Sequence, residues 1–417
     1  MRNTGWLLFE QIFRMGLSLV VTSLMARYLG AENFGMLNYG LAYVMIFTTV
    51  SNLGIDSIIV NEIIKNRKDT GKLIGTTIYL RFFSSIFSIF TIVLIIYYFD
   101  VSNSTIQLIT FIQSISLLFI VFDAIGFWFQ SNLQSKYIVI AKSIAFTIVS
   151  IWRLALIFFE KSIEFFAVAT VIEAIFMSSF MLIFYRLFKP PKLRYSSQTA
   201  KQLLFQSYHF LISGILIMIY TQIDKIMLGQ MAGNLTVGIF TAALVISSLW
   251  MFIPNALIQS ARPLIMESKN HNEYLYRKRN KQLYCSIIWM GIVASILITI
   301  LAKPIILFVY GTQFIESVQV LVILIWSRIF ALIGTIKAIW LTSENLGRYL
   351  TIFVGIAAFI NVSLNLMLIP KYGAIGAAIA TLVAEIVSSV FAVLLFKKTR
   401  PLFKLIVEAF LFKGIKE

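Results

Sequence analysis

Long apolar stretches, separated by short polar segments, are the main pattern of the sequence. Stretches such as 86–96 and 287–301 contain no charged residue. An α-helix needs about 20 mostly apolar residues to cross the hydrocarbon core of a membrane. The stretches that meet this requirement lie at about 4–26, 36–60, 78–99, 106–130, 137–159, 163–188, 203–228, 236–260, 283–309, 318–342, 349–369 and 374–396. The pattern therefore predicts an all-α integral membrane protein with about 12 transmembrane helices.

The composition excludes the soluble enzyme classes. Of the 417 residues, 59% are hydrophobic and 13% are charged, and the mean hydropathy is +0.89. Soluble domains are roughly 45–50% apolar and about 25% charged. The sequence contains no GxxxxGK[ST] phosphate-binding loop, and two histidines with one cysteine are too few for an ordinary zinc site. We therefore expect a protein that is not an enzyme and that uses no cofactor or metal.

The positions of the basic residues predict the membrane topology. The formal net charge is +17, from 35 Lys and Arg against 18 Asp and Glu. One set of alternate connecting segments, which includes both termini, holds most of the basic residues outside the spans. The other set holds only Arg27, Lys161, Lys303 and Lys371. Because cytoplasmic loops accumulate Lys and Arg, both termini are predicted to be cytoplasmic, and no nucleic-acid partner is needed to explain the charge.

One basic segment, 277–281, has a second interpretation. Its Lys and Arg residues are explained first by topology, with contact to anionic lipid headgroups as the alternative.

A polar stretch near the middle of the chain predicts two halves. Pro190 and Pro191 interrupt any helix there, and the tail alternates apolar and charged residues as an interfacial amphipathic helix does. We expect an N-terminal six-helix bundle, a cytoplasmic linker, a C-terminal six-helix bundle and a cytoplasmic amphipathic tail, over 1–188, 189–202, 203–396 and 397–417.

An internal repeat is indicated by two similar turns. A Leu-Gly pair occurs at 29–30 and again at 228–229, and a further glycine, Gly35 or Gly238, opens the next span. The offset is about 200 residues, or half the chain. Six-plus-six parallel repeats are a transporter design in which the substrate path lies between the halves.

Charged residues inside the predicted spans are the candidate functional groups. A charged side chain facing lipid at mid-depth costs about 2.5–3.5 kcal/mol on insertion scales, so such groups are expected to face a watery cavity or to pair with one another. Arginine suits phosphate because its planar fork binds two oxygens and keeps its proton, which favours Arg14, Arg153 and Arg328. Desolvation favours the protonated form of a carboxyl group and suits reversible protonation, which favours Glu173 and Glu385.

Structural roles for the same charges remain as alternatives. Glu10 precedes Arg14 by four residues, the spacing of a helical ion pair, and each buried acid could instead pair between helices. Five charges lie nearer the expected cytoplasmic ends of spans, where long side chains can reach water by snorkelling: Asp56, Arg81, Asp123, Lys142 and Lys337.

Five segments carry a resemblance to a known family. They are RYLGAENFGMLNYGLAYV, FDAIGFWFQ, YTQIDKIMLG, YGTQFIESVQVL and PKYGAIGAAIATLVAE, at 27–44, 122–130, 220–229, 310–321 and 370–385. In this order they resemble the polysaccharide repeat-unit flippases. These are the Wzx-type O-antigen transporters of the multidrug/oligosaccharidyl-lipid/polysaccharide exporter superfamily. The resemblance covers nearly the whole chain.

The resemblance implies a fold and a function. It implies two six-helix bundles with pseudo-two-fold symmetry around a central cavity, in a bacterial cytoplasmic (inner) membrane. The implied substrate is an undecaprenyl-pyrophosphate-linked oligosaccharide of O-antigen, lipopolysaccharide or similar polysaccharide biosynthesis. The implied partners are the lipid bilayer, a polysaccharide polymerase and a chain-length regulator.

The resemblance also assigns roles to residues. Relatives draw on the proton gradient or the membrane potential, and Asp224 matches the aspartate of the span-seven motif, so it joins Glu173 and Glu385 as a coupling carboxylate. The basic cavity residues of relatives find candidates in Arg14, Arg153 and Arg328, which would hold the diphosphate.

Two other functions are retained as alternatives. A drug/cation antiporter of the same superfamily would use Glu173, Asp224 or Glu385 to bind cations. A membrane enzyme of polysaccharide assembly would need a large outer loop, which the predicted topology does not contain.

Overall fold

A computed structural model describes residues 2–101, 103–188 and 190–412, and it describes side chains throughout these ranges except at 2–12, 270 and 271. Regular structure in these ranges is helical. The α-helices in chain order are α1 (Arg2–Asn52), α2 (Asp56–Lys65), α3 (Thr70–Phe99), α4 (Ser104–Ser114), α5 (Leu117–Ile120), α6 (Ala124–Ser131), α7 (Lys136–Phe158), α8 (Ile163–Leu187), α9 (Ser197–Ala232), α10 (Asn234–Leu249), α11 (Phe252–His271), α12 (Glu273–Val309), α13 (Ser317–Ser343), α14 (Arg348–Ile386) and α15 (Arg400–Phe410).

Helices long and apolar enough to cross a membrane run through most of the protein. Nine occur in the described residues, and the pair α10 and α11, bent by 47°, makes a tenth candidate. Two of the nine, Phe13–Lys65 and Arg348–Leu394, are 53 and 47 residues long. Each of these is broken at a glycine and is long enough for two crossings of about 20 residues. The helices therefore accommodate about twelve spans, and the predicted all-α integral membrane class is confirmed.

The first helix of each half ends at a glycine with the same backbone conformation. Gly30 interrupts α1 with φ 75° and ψ 169°, and Gly233 separates α9 from α10 with φ 84° and ψ 170°. Glycine alone adopts such positive φ values without strain. The turn predicted at Gly229 is wrong by one helical turn, because α9 continues to Ala232. The glycine pair that repeats is therefore Gly30 with Gly35, and Gly233 with Gly238.

The described residues form two compact units that divide between Gln222 and Ile223, inside α9. In the first unit α1 packs on α3, α4 and α7, and α8 packs on α4 and α7. One apolar core includes Ile59, Ile74, Phe129, Ala141 and Met181, and a second includes Leu29, Ile109, Leu156 and Phe166.

The segment before α9 lies against α3 in the first unit. The backbone N–H of Arg194 donates to the carbonyl of Gly71 at 3.1 Å, and that of Ser196 donates to the Thr76 hydroxyl at 3.1 Å. A Cβ atom at Gly75 would lie 2.6 Å from the Arg194 backbone. Glycine on α3 therefore permits this close approach.

In the second unit α13 packs on α10, α12 and α14, and α15 packs on α12. At Gly373 (φ 51°) the chain turns within α14, so that the backbone of Leu368 lies against Gly376. After α14 come a π-helical turn (Val387–Phe391) and a short 3₁₀ segment (Ala392–Leu394). The amphipathic tail includes α15, whose Leu402, Ile406 and Ala409 are buried; residues 413–417 lie outside the described range.

Candidate functional site

Three of the candidate residues meet in the first unit. Arg14 on α1 and Arg153 on α7 both reach the carboxylate of Glu173 on α8. Arg14 Nη2 lies 3.2 Å from Glu173 Oε1, and Arg153 Nη2 lies 3.5 Å from Glu173 Oε2. The Arg14 guanidinium also lies over the Phe146 ring, 5.0 Å from its centroid. We call these three charged residues the arginine triad.

The arginine triad carries one positive charge in excess. The exposed fraction of the side chain is 42% for Arg14, 18% for Arg153 and 24% for Glu173, so the group is neither sealed off nor fully in solvent. The Nε of Arg153 is buried without a hydrogen-bond partner among the described residues. Two partly exposed guanidiniums side by side can bind an anion with several oxygens, such as a phosphate.

The alternative partner of Arg14, Glu10, lies outside the described side chains. The ion pair of Arg14 with Glu173 joins α1 to α8.

The third candidate arginine, Arg328, belongs to the second unit. It lies on α13, and its Nε donates to the Ser247 hydroxyl on α10 at 3.2 Å. The guanidinium of Arg328 also has a favourable electrostatic interaction with the Asp224 carboxylate. The structure thus places Arg14 and Arg153 together, and it places Arg328 in the unit that contains Asp224.

Asp224 lies at the centre of a buried polar network in the second unit. Its Oδ1 accepts hydrogen bonds from the side-chain amides of Asn361 at 3.0 Å and Asn365 at 2.6 Å. Its Oδ2 lies 2.7 Å from the Thr381 hydroxyl. Asp224 is 5% exposed, and both asparagines are fully buried. We call Asp224, Asn361, Asn365 and Thr381 the aspartate network.

The aspartate network is rich in oxygen. The Oδ1 of Asn365 is buried without a hydrogen-bond partner within the described chain. The Thr381 hydroxyl also lies 2.9 Å from the Ala377 carbonyl. Carboxylate, amide, hydroxyl and carbonyl oxygens are the ligands that hard cations prefer. Over the described residues, no group of three or more His, Cys, Asp and Glu side chains could hold a metal ion.

Glu385, the third candidate carboxylate, lies close enough to the Lys337 ammonium for the two charges to interact. Lys337 is 2% exposed, donates to the Ser388 carbonyl at 2.6 Å and lies 4.8 Å from the Phe353 ring centroid. The expectation that Lys337 reaches water by snorkelling is therefore wrong. A carbonyl, an aromatic face and a nearby acid compensate for its lost hydration.

The same expectation is wrong for Arg81. Its side chain is 1% exposed, donates to Asp56 and lies 5.4 Å from the Phe127 ring centroid. Asp123 and Lys142 line the same cavity, which has a volume of about 190 Å³. Arg81 is therefore buried, and its charge is compensated by the partly exposed Asp56 carboxylate and by the Phe127 ring.

The sequence contains one further indication of the aspartate network. Asn361 and Asn365 are four residues apart on an apolar span, so they share one face of a helix. Polar amides in a membrane span usually bond to a neighbouring helix. The pair therefore indicated a buried polar contact, although it did not identify Asp224 as the partner.

Comparison with known proteins gives two kinds of result. Residues 1–269 match the family of polysaccharide biosynthesis proteins. The "Probable flippase AglR" of Haloferax volcanii is 30% identical over 180 residues, which are 42% of this chain and 38% of that protein. The match therefore spans well under half of that relative's length.

Solved structures show the fold. "Lipid II flippase MurJ, inward closed conformation" has a TM-score of 0.76 at 17% identity and covers 97% of this chain and 90% of its own. An inward-facing multidrug resistance MATE family transporter of the MOP superfamily has a TM-score of 0.70 at 14% identity, with coverage of 94% and 96%. The fold is therefore similar to that of these two proteins, as the five segments led us to expect. The chain is a multi-pass integral membrane protein that belongs to the polysaccharide biosynthesis protein family.

Proposed function

We propose that the protein is a flippase of polysaccharide biosynthesis. Its substrate is an undecaprenyl-pyrophosphate-linked oligosaccharide repeat unit of O-antigen or a similar surface polysaccharide. The protein moves this unit from the cytoplasmic to the outer leaflet of a bacterial inner membrane by alternating access. Family membership and the likeness to flippase and transporter structures support this proposal.

The arginine triad is the observation that carries the proposal. A purely structural ion pair needs one base for one acid, whereas Glu173 has two arginines. An excess positive charge among membrane helices is costly unless an anion or water meets it. A diphosphate carries several oxygens and at least two negative charges, and arginine forks bind such groups in bidentate fashion.

In this mechanism the two arginines bind the diphosphate and Glu173 holds them in position. Arg14, the more exposed of the pair, meets the incoming group first. The positive charge lowers the cost of taking the diphosphate out of water, while the apolar tail stays in lipid. Arg328 is retained as a further diphosphate ligand, in the second unit.

Asp224 is the first candidate for the carboxylate that couples transport to an ion gradient or the membrane potential. Glu173 and Glu385 are the further candidates. The three hydrogen bonds at the Asp224 carboxylate come from neutral side chains, and the Asn365 Oδ1 beside it has no hydrogen-bond partner among the described residues. A proton or a small monovalent cation would satisfy both. The two asparagines lie before Gly373 and Thr381 lies after it, so an ion at Asp224 would hold the two arms of α14 together.

The orientation in the membrane, the division of the chain and the partners are proposed from the sequence. Both termini are placed in the cytoplasm on the Lys and Arg bias. The division into bundles at 1–188 and 203–396, with a linker and a tail, is kept as part of the proposal. The bilayer, a polymerase and a chain-length regulator are the proposed partners.

The test is complementation of a strain that lacks the chain. Arg14→Gln and Arg153→Gln should each reduce surface polysaccharide at least about tenfold, because each removes a charged contact to the diphosphate. Lys72→Gln is the matched control: it neutralises a half-exposed base that is also paired with an acid, Asp69, at 2.8 Å. Normal polymer from both arginine variants at normal protein levels would contradict the proposal.

A drug/cation antiporter is the second candidate, and the aspartate network favours it. A buried carboxylate among oxygen ligands can serve an exchanged cation as well as a coupling ion. Overexpression would then raise resistance to cationic dyes, and Asp224→Asn would abolish that resistance. Unchanged dye resistance with loss of surface polymer on deletion would exclude it.

A further inference from the structure

A cavity larger than the one beside Arg81 is lined by residues of the second unit alone, and none of them belongs to the arginine triad or the aspartate network. It has a volume of about 830 Å³ and lies where α11 ends, α12 begins, α13 ends and α15 packs. Its charged lining includes six bases and three acids: Lys269, Arg277, Lys278, Lys281, Lys398 and Lys404 with Glu273, Glu344 and Glu408. We call it the basic cavity.

Each acid in the basic cavity already has a basic partner. Glu344 lies 2.6 Å from Lys269, and Glu408 lies 3.3 Å from Lys281. Glu273 lies 3.0 Å from Arg277. With the acids matched in this way, the cavity retains an excess of three positive charges.

Two lysines of the lining account for most of this excess. Lys278 is half-buried and has its ammonium 5.9 Å from the Tyr274 ring centroid, and Lys398 is exposed. Within the part of the chain that the structure describes, no carboxylate lies at ion-pair distance from either lysine. They are therefore the groups best placed to meet an external anion.

The walls of the basic cavity are fixed by packing. Leu402, Ile406 and Ala409 bury one face of α15. The Trp289 indole N–H of α12 donates to the Ala409 carbonyl at 3.3 Å. Also on α12, the Tyr276 hydroxyl lies 2.6 Å from the Ser343 hydroxyl on α13. Lys278 on α12 and Lys398 in the turn before α15 thus line a volume typical of small-molecule sites.

We propose that the basic cavity binds a phosphate-bearing anion, either the headgroup of an anionic membrane phospholipid or a soluble diphosphate. Basic pockets at the ends of membrane helices recognise phospholipid headgroups through lysine and arginine. Val407 on α15 and Leu411 just after it leave apolar surface exposed, close in sequence to Lys404, which lines the cavity. An acyl chain could lie along that surface while the phosphate meets Lys278 and Lys398.

The experiment is a ligand titration of the purified full-length protein in neutral detergent, with the thermal unfolding midpoint as readout. The probes are dioleoylphosphatidylglycerol, dioleoylphosphatidylcholine as the zwitterionic control, and sodium pyrophosphate. We expect phosphatidylglycerol or pyrophosphate, and not phosphatidylcholine, to raise the midpoint. Saturation by phosphatidylglycerol alone identifies a lipid site, and saturation by pyrophosphate identifies a soluble anion.

Paired variants separate a site from general surface charge. Lys278→Gln with Lys398→Gln should shift the half-saturating concentration at least about tenfold. Lys68→Gln with Lys397→Gln removes the same charge from exposed positions outside the cavity and should leave it unchanged within about twofold. Lys278→Arg with Lys398→Arg should bind as the unaltered protein does. No anion-dependent stabilisation, or an equal loss in both glutamine pairs, would overturn the proposal.

Discussion

Glu173 contacts two arginines, one on the preceding helix and one far from it in the sequence. Arg14, Arg153 and Glu173 come from α1, α7 and α8, and their charges are close enough to interact pairwise. The two guanidiniums repel each other, and the carboxylate between them reduces that repulsion. Glu173 is therefore a positioning residue for both arginines in the proposed mechanism.

Removing the charge of Glu173 should expose this repulsion. We expect Glu173→Gln to lower the free energy of unfolding by about 1–3 kcal/mol, since a partly buried charged hydrogen-bond partner is lost. The double variant with Arg14→Gln removes one of the repelling charges and should lose less than the sum of the two single variants. Unfolding of the purified protein in detergent measures this, and strictly additive losses would contradict the coupling.

Asp224 allows a second prediction at the residue scale. Asp224→Asn keeps the shape but removes the charge that three hydrogen-bond donors face. The expected cost is about 1–3 kcal/mol of stability, together with loss of any stimulation of export by an imposed ion gradient. Thr381→Val keeps the charge and should retain gradient dependence at a reduced level. Gradient-dependent export by Asp224→Asn would show that coupling lies elsewhere.

The sequence was enough to select the candidate residues, but it was not enough to predict which of them contact one another. Arg14, Arg153 and Glu173 stood out because charges are rare in apolar spans. Their meeting depends on the rotation of α1, α7 and α8 about their axes and on which helices are neighbours. One sequence contains no direct record of either. For the same reason, Arg81 and Lys337 were expected at water and are buried beside partners on other segments.

At the scale of helices, apolar length predicted the spans and glycine determines their breaks. The expected gaps after 26, 228 and 369 correspond to breaks at Gly30, Gly233 and Gly373, all with positive φ. The bend of 47° between α10 and α11 falls inside the span expected at 236–260, next to Pro254 in the first turn of α11. The fourth predicted span, 106–130, corresponds to one continuous helical segment, Ser104–Ser131, which contains α4, α5 and α6.

Glycines within α14 provide a matched test of close helix packing. A Cβ atom at Gly376 would lie 2.4 Å from the Leu368 carbonyl oxygen, whereas one at Gly355 would meet nothing within 4 Å. Gly376→Ala should therefore destabilise the protein by about 1–3 kcal/mol and displace the arm that carries Thr381.

Gly355→Ala is the control in the same helix, and it should be neutral or slightly stabilising, since alanine favours helix by up to about 1 kcal/mol. The two purified variants can be compared by thermal unfolding. Equal stability would show that the arms of α14 tolerate wider separation than the structure indicates.

At the scale of the whole molecule, the charge bias fixes an expected orientation. The single cysteine, Cys285, is buried and can be replaced by serine to give a cysteine-free background. In that background Lys68→Cys should react with a membrane-impermeant maleimide only after permeabilisation. Lys161→Cys should react in intact cells. Both positions are exposed in the structure, so the reverse pattern would invert the proposed topology.

The most direct test of the flippase proposal is the leaflet in which the lipid-linked repeat unit accumulates when the chain is depleted. Lipid-linked oligosaccharides would be assayed in oriented membranes with an impermeant sugar-modifying probe, alongside surface polymer. The proposal predicts loss of surface polymer, with single undecaprenyl-linked units trapped on the cytoplasmic leaflet and released by restoring the chain but not Arg153→Gln. Single unpolymerised units on the outer leaflet would contradict it, because translocation would then proceed without this protein.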